Sequence, residues 1–114
     1  MSHVLTADGG NESLRVRIYD LDGRCVASHA EPYETKFMAG ARAEQNAEDW
    51  WSSLVTATQI CLKEANISGD AIDAMAYATT CCTVVALDKN GAPLRPALMW
   101  MDVRANKEAE AVLE

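Results

Sequence analysis

The chain has 114 residues, 49% of them hydrophobic, which is enough for one modest core and leaves no room for two full domains. Ten basic against seventeen acidic residues give a formal net charge of −7, and without any Lys/Arg cluster this balance argues against a nucleic-acid partner. No apolar run nears the ~20 residues that span a bilayer, and the N-terminus lacks the basic-then-apolar layout of a signal peptide, so a cytoplasmic protein with no membrane partner is expected.

In chain order, Val4-Leu5-Thr6-Ala7 reads as a buried strand, and Leu14, Val16 and Ile18 alternate with Arg15, Arg17 and Tyr19 as in a strand with one covered face. Between them, Asp8-Gly9-Gly10-Asn11-Glu12-Ser13 forms a strand-to-strand turn. Gly9 and Gly10 carry no Cβ and can take φ > 0, so the turn can be tight and its N–H groups can approach an anion closely. Asp8 would then hold a Mg²⁺ ion, mainly through water. The same residues also suit an ordinary turn in which Asp8 and Asn11 make local hydrogen bonds.

Asp20-Leu21-Asp22-Gly23-Arg24 supplies a hairpin turn, and Cys25 to Tyr33 reads as a third strand completing an antiparallel meander. Residues 34–45 show no clear period and read as a loop. Asn46, with Asp49 three residues on, marks a helix start. Trp50, Leu54, Ala57 and Cys61 then follow helical spacing, beside Trp51, Val55, Thr58 and Leu62, and both tryptophans are expected to anchor the core. Asn66 to Asp70 ends the helix, and Ile72 to Thr79 reads as a fourth strand, reached by a crossover and parallel to one already in the sheet. Cys82 to Asp88 reads as a further strand closed by a Lys89-Asn90-Gly91 turn. Ala97 to Met101 is a short apolar run, and Asp102 reads as the N-cap of a last helix through Ala105, Ala109 and Val112. The helix carries no Gly or Pro stop signal, which suggests an opening segment of something longer.

Cys25, Cys61, Cys81 and Cys82 have neither CxxC spacing nor paired histidines nearby. They are expected to be reduced thiols packed as small hydrophobes, with a strained Cys81–Cys82 disulfide as the alternative.

Four pieces in this order resemble the N-terminal part of the FGGY carbohydrate kinases. Asp8, Gly10, Asn11, Ser13 and Arg15 answer the family's Asp-x-Gly-Thr-x-Ser-x-Arg, and Asp20 with Gly23 answers Asp-x-x-Gly. Residues 43–51 answer an acidic helix start containing Trp. Residues 83–104, ending Trp100-Met101-Asp102-Val103-Arg104, answer a strand, turn and Trp-x-Asp-x-Arg segment.

The resemblance implies an α/β fold of the ribonuclease-H-like, actin-like ATPase type, incomplete here, with residues 1–114 forming part of a kinase N-terminal domain. It implies ATP and Mg²⁺ as cofactors, with Asp8 near the metal and Gly9, Gly10, Asn11, Ser13 and Arg15 facing the phosphates. Asn11 stands where the family usually has Thr, exchanging a hydroxyl for an amide that can still donate. The sugar-contacting segment corresponds to Thr79-Thr80-Cys81-Cys82-Thr83, and this run of small residues is similar to that of ribulose kinases, where xylulose kinases tend to carry Met-His and glycerol kinases Arg-Glu. A ketopentose such as ribulose or xylulose is therefore the expected substrate. Thr80, Cys81, Cys82, Asp102 and Arg104 are candidate sugar contacts, and Glu12 joins them by its place in the loop. The family's aspartate base lies beyond the matched stretch, so no catalytic residue is assigned and the segment alone is expected to be inactive. Its partners would be the sugar and the remainder of the kinase, with a homodimer as an option. Two other readings are a non-catalytic interaction module derived from a truncated kinase and a redox or metal module built on the cysteines.

Overall fold

The computed structural model describes residues 2–113, and its backbone divides into two compact units. The first comprises the chain up to Tyr33 together with Glu48–Thr80. In it, β1 (His3–Gly9), β2 (Ser13–Asp20) and β3 (Cys25–Pro32) form the expected antiparallel meander. Helix α1 (Ala47–Ala65) crosses over to β6 (Ile72–Thr79), which lies parallel to β1, giving the order β3-β2-β1-β6. This is the mixed α/β sheet that the sequence indicates.

The period-two pattern is realised without a slip along the loop-proximal half of the meander. Leu5 faces Ile18 and Ala7 faces Val16, so one set of side chains meets α1 at Ala57 and Cys61. The Cys61 thiol donates to the Val16 carbonyl at 3.5 Å, and burial pushes that thiol's pKa up. α1 ends in left-handed Asn66 (φ 53°), with Asn66 N–H donating to Lys63 O and Ile67 N–H to Leu62 O, both at 3.1 Å. These paired bonds satisfy carbonyls that the helix end would otherwise leave open.

Two expectations for α1 are corrected. The buried stripe runs through Ser53, Ala57 and Cys61, and Trp51 is 65% exposed while Trp50 is only half-buried. Small residues let the helix approach the sheet closely, and that rotation turns the indoles outward instead of into the core.

The second unit comprises Glu34–Ala47 and the residues from Cys81 on. Residues 34–45 are not a plain loop: β4 (Lys36–Met38) and β5 (Arg42–Gln45) form a hairpin, with Gly40 and Ala41 both at positive φ in its turn. β5 also pairs with β7 (Ala97–Leu98). Conversely, Cys82 to Asp88 is not a strand; Val84 and Leu87 make only isolated bridges, to Leu98 and Pro93. The turn after it forms as expected, with the Asp88 carboxylate accepting from the Asn90 and Ala92 N–H groups, which holds its pKa low. Helix α2 (Asn106–Val112) starts after Ala105 without a side-chain cap, so Asp102 does not cap it.

Among the described residues no helix is long and apolar enough to cross a membrane.

Candidate functional site

At the end of β1 the sheet presents a face opposite to the one covered by α1. Asp8 is exposed there, directly across from Arg15 on β2, and Ser13 and Arg17 project from β2 to the same side. On the other flank of β1, Thr6 and Asp8 stand beside Ala76 and Ala78 of β6. A carboxylate, two hydroxyls and two guanidinium groups thus line a face that small alanines keep open. Acid and base stand at directly opposed positions, where cross-strand side chains are close neighbours.

The loop that closes this end is held by its own backbone and by two tyrosines. Gly10 N–H donates to Ser13 O at 3.0 Å, and Tyr33 N–H donates to Glu12 O at 3.0 Å. The Tyr33 hydroxyl donates to Gly10 O at 2.5 Å and lies 3.1 Å from Ser13 O. From the other flank, Tyr77 covers Gly9: a Cβ on Gly9 would meet the Tyr77 hydroxyl at 2.9 Å and Thr79 Oγ1 at 3.3 Å. Neither Gly9 nor Gly10 has positive φ, so the loop does not use the left-handed conformation, and it is at Gly9 that the close approach of Tyr77 needs the lack of a Cβ. Burial, then the neighbouring Tyr77 and Asp8, push the Tyr33 pKa up to about 12, and Tyr77 is raised by burial and Asp8. Both shifts favour the protonated phenol, the form that donates.

Thr80 joins this group because its N–H donates to Gly9 O at 3.2 Å. Asp8, Gly9, Gly10, Asn11, Glu12, Ser13, Arg15 and Thr80 therefore belong to one unit, with Glu12 exposed at the loop tip. Cys81, Cys82, Asp102 and Arg104 belong to the other.

Cys81 and Cys82 are free and exposed, with sulfurs 3.7 Å apart, so neither core packing nor a vicinal disulfide describes them. Contact with Cys81 pushes the Cys82 thiol up. Cys25 is exposed as well, leaving Cys61 as the thiol that packs in the core. Cys82 sits at φ 61°, in the left-handed region that non-glycine residues seldom adopt. Among the described residues no group of three or more His, Cys, Asp or Glu side chains could hold a metal.

Asp102 is nearly enclosed, and both of its oxygens are engaged. Oδ1 accepts from the Arg104 N–H and Nε, at 3.1 and 2.8 Å, and Oδ2 accepts from the Ala43 N–H at 2.8 Å and Arg104 Nη2 at 2.6 Å. Arg104 also donates to Glu44 at 2.7 Å, and Arg95 donates to the same Glu44 oxygen. The Arg104 guanidinium holds the Asp102 carboxyl well below the usual range and lowers that of Glu44, and its own pKa is raised in turn. The Arg95–Glu44–Arg104–Asp102 chain ties β5 to the segments on either side of β7. The sequence singled out Asp102 and Arg104 as candidate site residues but gave no sign of Glu44 and Arg95, which lie 51 positions apart.

Residues 3–114 match the model of the N-terminal domain of the FGGY family of carbohydrate kinases. The glycerol kinase of Acinetobacter baylyi is 32% identical over 115 residues, spanning 100% of this chain and 23% of that protein. The xylulose kinase of Streptomyces rubiginosus is 30% identical over 112 residues, spanning 97% of this chain and 22% of its own. Among solved structures, a ligand-bound xylulose kinase from Lactobacillus acidophilus superposes with a TM-score of 0.90 at 18% identity, covering 99% of this chain and 22% of the other. A gluconate kinase from the same organism gives 0.89 at 18% identity, covering 98% and 22%. At those identities the structures show the fold. The chain thus spans less than a quarter of the length of these relatives.

Proposed function

This chain belongs to the FGGY family of carbohydrate kinases, and on that footing we propose that it is the opening part of an ATP-dependent kinase that phosphorylates a hydroxyl of a small sugar or polyol. The observation that carries the proposal is the open, polar sheet face at the end of β1, where Asp8, Ser13 and Arg15 gather beside the glycine loop. The residues fit the cosubstrate they would meet. The exposed Asp8 carboxylate at the end of β1 suits Mg²⁺, which keeps most of its water. Bound there, Mg²⁺ would neutralise charge on the phosphates of ATP.

In this reading Asp8 would hold the metal from the end of β1, and Arg15 and Ser13 would offer donors to phosphate oxygens. Gly9 and Gly10 bring the backbone close, and Asn11 supplies an amide where the family has Thr. Glu12 at the loop tip and Thr80 beside Gly9 would accept or donate hydrogen bonds to a sugar hydroxyl. Cys81 and Cys82, small and exposed, are the candidates of the other unit. Asp102 and Arg104 contribute by holding their unit together, since both carboxylate oxygens are already engaged. The small side chains of the Thr79–Thr83 run favour a ketopentose such as ribulose over glycerol.

β6 supports a role within a longer kinase. It has one strand neighbour and is exposed nearly throughout, with Met75 at 52% and Tyr77 at 50%. A self-contained interaction module would cover such an edge. The general base would come from the remainder of the kinase, acting on the sugar hydroxyl as the transferred group moves.

The test is ADP release in the presence of ribulose, xylulose, glycerol or gluconate. The 114-residue chain alone should give no turnover above the blank, and a kinase carrying it at its N-terminus should turn over one of these sugars with ATP. Turnover by the isolated chain, or a carrier protein inert toward all four, contradicts the proposal.

A further inference from the structure

We infer that Tyr33 is a positioning residue for phosphate binding, a strap that turns the carbonyls of the glycine loop away from the anion. The inference rests on the reading of that loop as the phosphate cradle.

Gly10 and Ser13 flank the loop tip, and both of their carbonyl oxygens lie within hydrogen-bond distance of the Tyr33 hydroxyl, at 2.5 and 3.1 Å. Across a trans peptide the C=O and the following N–H point in opposite directions. No cis peptide occurs among the described residues, so with Gly10 O directed at Tyr33 the N–H of Asn11 is directed to the opposite side. The negative ends of two loop dipoles are thereby drawn toward the phenol. A carbonyl left facing an anion would repel it, so the alignment serves binding beyond its effect on the fold.

The backbone reinforces this arrangement. Tyr33 sits one residue past β3, and its own N–H donates to Glu12 O at 3.0 Å. Tyr33 thus grips the loop at Gly10, Glu12 and Ser13 from a point twenty or more residues on in sequence, while Tyr77 closes over Gly9 from β6. Replacing Tyr33 by Phe removes the hydroxyl and keeps both the ring and the N–H bond.

The experiment is a titration of the 114-residue chain with Mg²⁺ and inorganic tripolyphosphate, followed through the backbone amides of residues 9–14 by NMR. The wild type, Tyr33→Phe and a variant carrying 4-aminophenylalanine at position 33, which restores a donor, are compared together with their melting temperatures. The inference expects the wild-type loop amides to shift on titration, about tenfold weaker binding in Tyr33→Phe, and recovery with the amino-substituted ring even if its melting temperature stays at the Phe value. Equal affinity in the wild type and Tyr33→Phe overturns the strap and leaves the phosphate reading standing. Affinity that follows melting temperature instead of the donor also overturns it. Absence of any loop response in the wild type overturns the phosphate reading, and the strap with it.

Discussion

Leu14→Ala tests whether the loop is carried by the core of the first unit. Leu14 is the first residue of β2 to face inward, with 0% of its surface exposed, and it pairs with Gly9 on one side and Glu31 on the other. Its neighbour Gly9 has no side chain with which to fill a void, so the cavity should collapse poorly. Buried Leu→Ala changes cost about 2–5 kcal/mol, and a poorly collapsing site argues for about 3 kcal/mol here. That corresponds to about a 150-fold rise in the unfolded-to-folded ratio and, for a unit this small, a fall of about 15 °C in melting temperature. Urea unfolding followed by far-UV circular dichroism measures the change. Leu21→Ala, at a turn position 73% exposed, is the control and should stay within about 0.5 kcal/mol. A Leu14→Ala cost below about 1 kcal/mol, or a Leu21→Ala cost equal to it, would refute the packing argument.

Gly9→Ala should cost about 1 kcal/mol, because its Cβ meets the Tyr77 hydroxyl at 2.9 Å, and most of that cost should vanish in a Tyr77→Phe background measured by the same unfolding assay. Equal cost in both backgrounds contradicts the contact. Tyr33 keeps its proton to about pH 12 when folded and to about 10 when unfolded, so the folded state binds the proton more tightly. Its stabilising contribution is complete below pH 10 and is lost as pH rises toward 12, and stability measured across that range should fall less steeply in Tyr33→Phe than in the wild type. The open edge of β6 should make the isolated chain self-associate; Met75→Lys should shift its sedimentation toward monomer, and a wild type that is monomeric at high concentration would oppose the reading of β6 as an uncovered edge.

The parts of the fold that sequence revealed are those with strong local periodicity. Leu14, Val16 and Ile18 declare β2 by alternation, the Asp20–Arg24 turn fixes the hairpin, and Asn66 marks the end of α1. The parts that stayed hidden depend on distant partners. β4 and β5 are three and four residues long, with no apolar alternation, and become strands only by pairing with each other and with Ala97–Leu98. The tryptophans of α1 suggested the core face, but Ser53 and Ala57 take it because small residues allow close approach to the sheet. In the site, the order Asp8-Gly9-Gly10 pointed to the loop, and the register with Arg15 followed once the turn length was set. The hold of Tyr33 on Gly10 and Ser13 leaves no local mark in the sequence. Its only trace is an aromatic residue placed immediately after a strand.

The central claim is that the end of β1 holds the metal and phosphates of a nucleotide. Substituting Mn²⁺ for Mg²⁺ makes the metal paramagnetic, so adding Mn²⁺·ADP to the ¹⁵N-labelled chain should broaden the amides of Asp8 to Ser13 and of Thr80, and Asp8→Asn should abolish the effect. Broadening centred elsewhere, or unchanged in Asp8→Asn, would contradict the account.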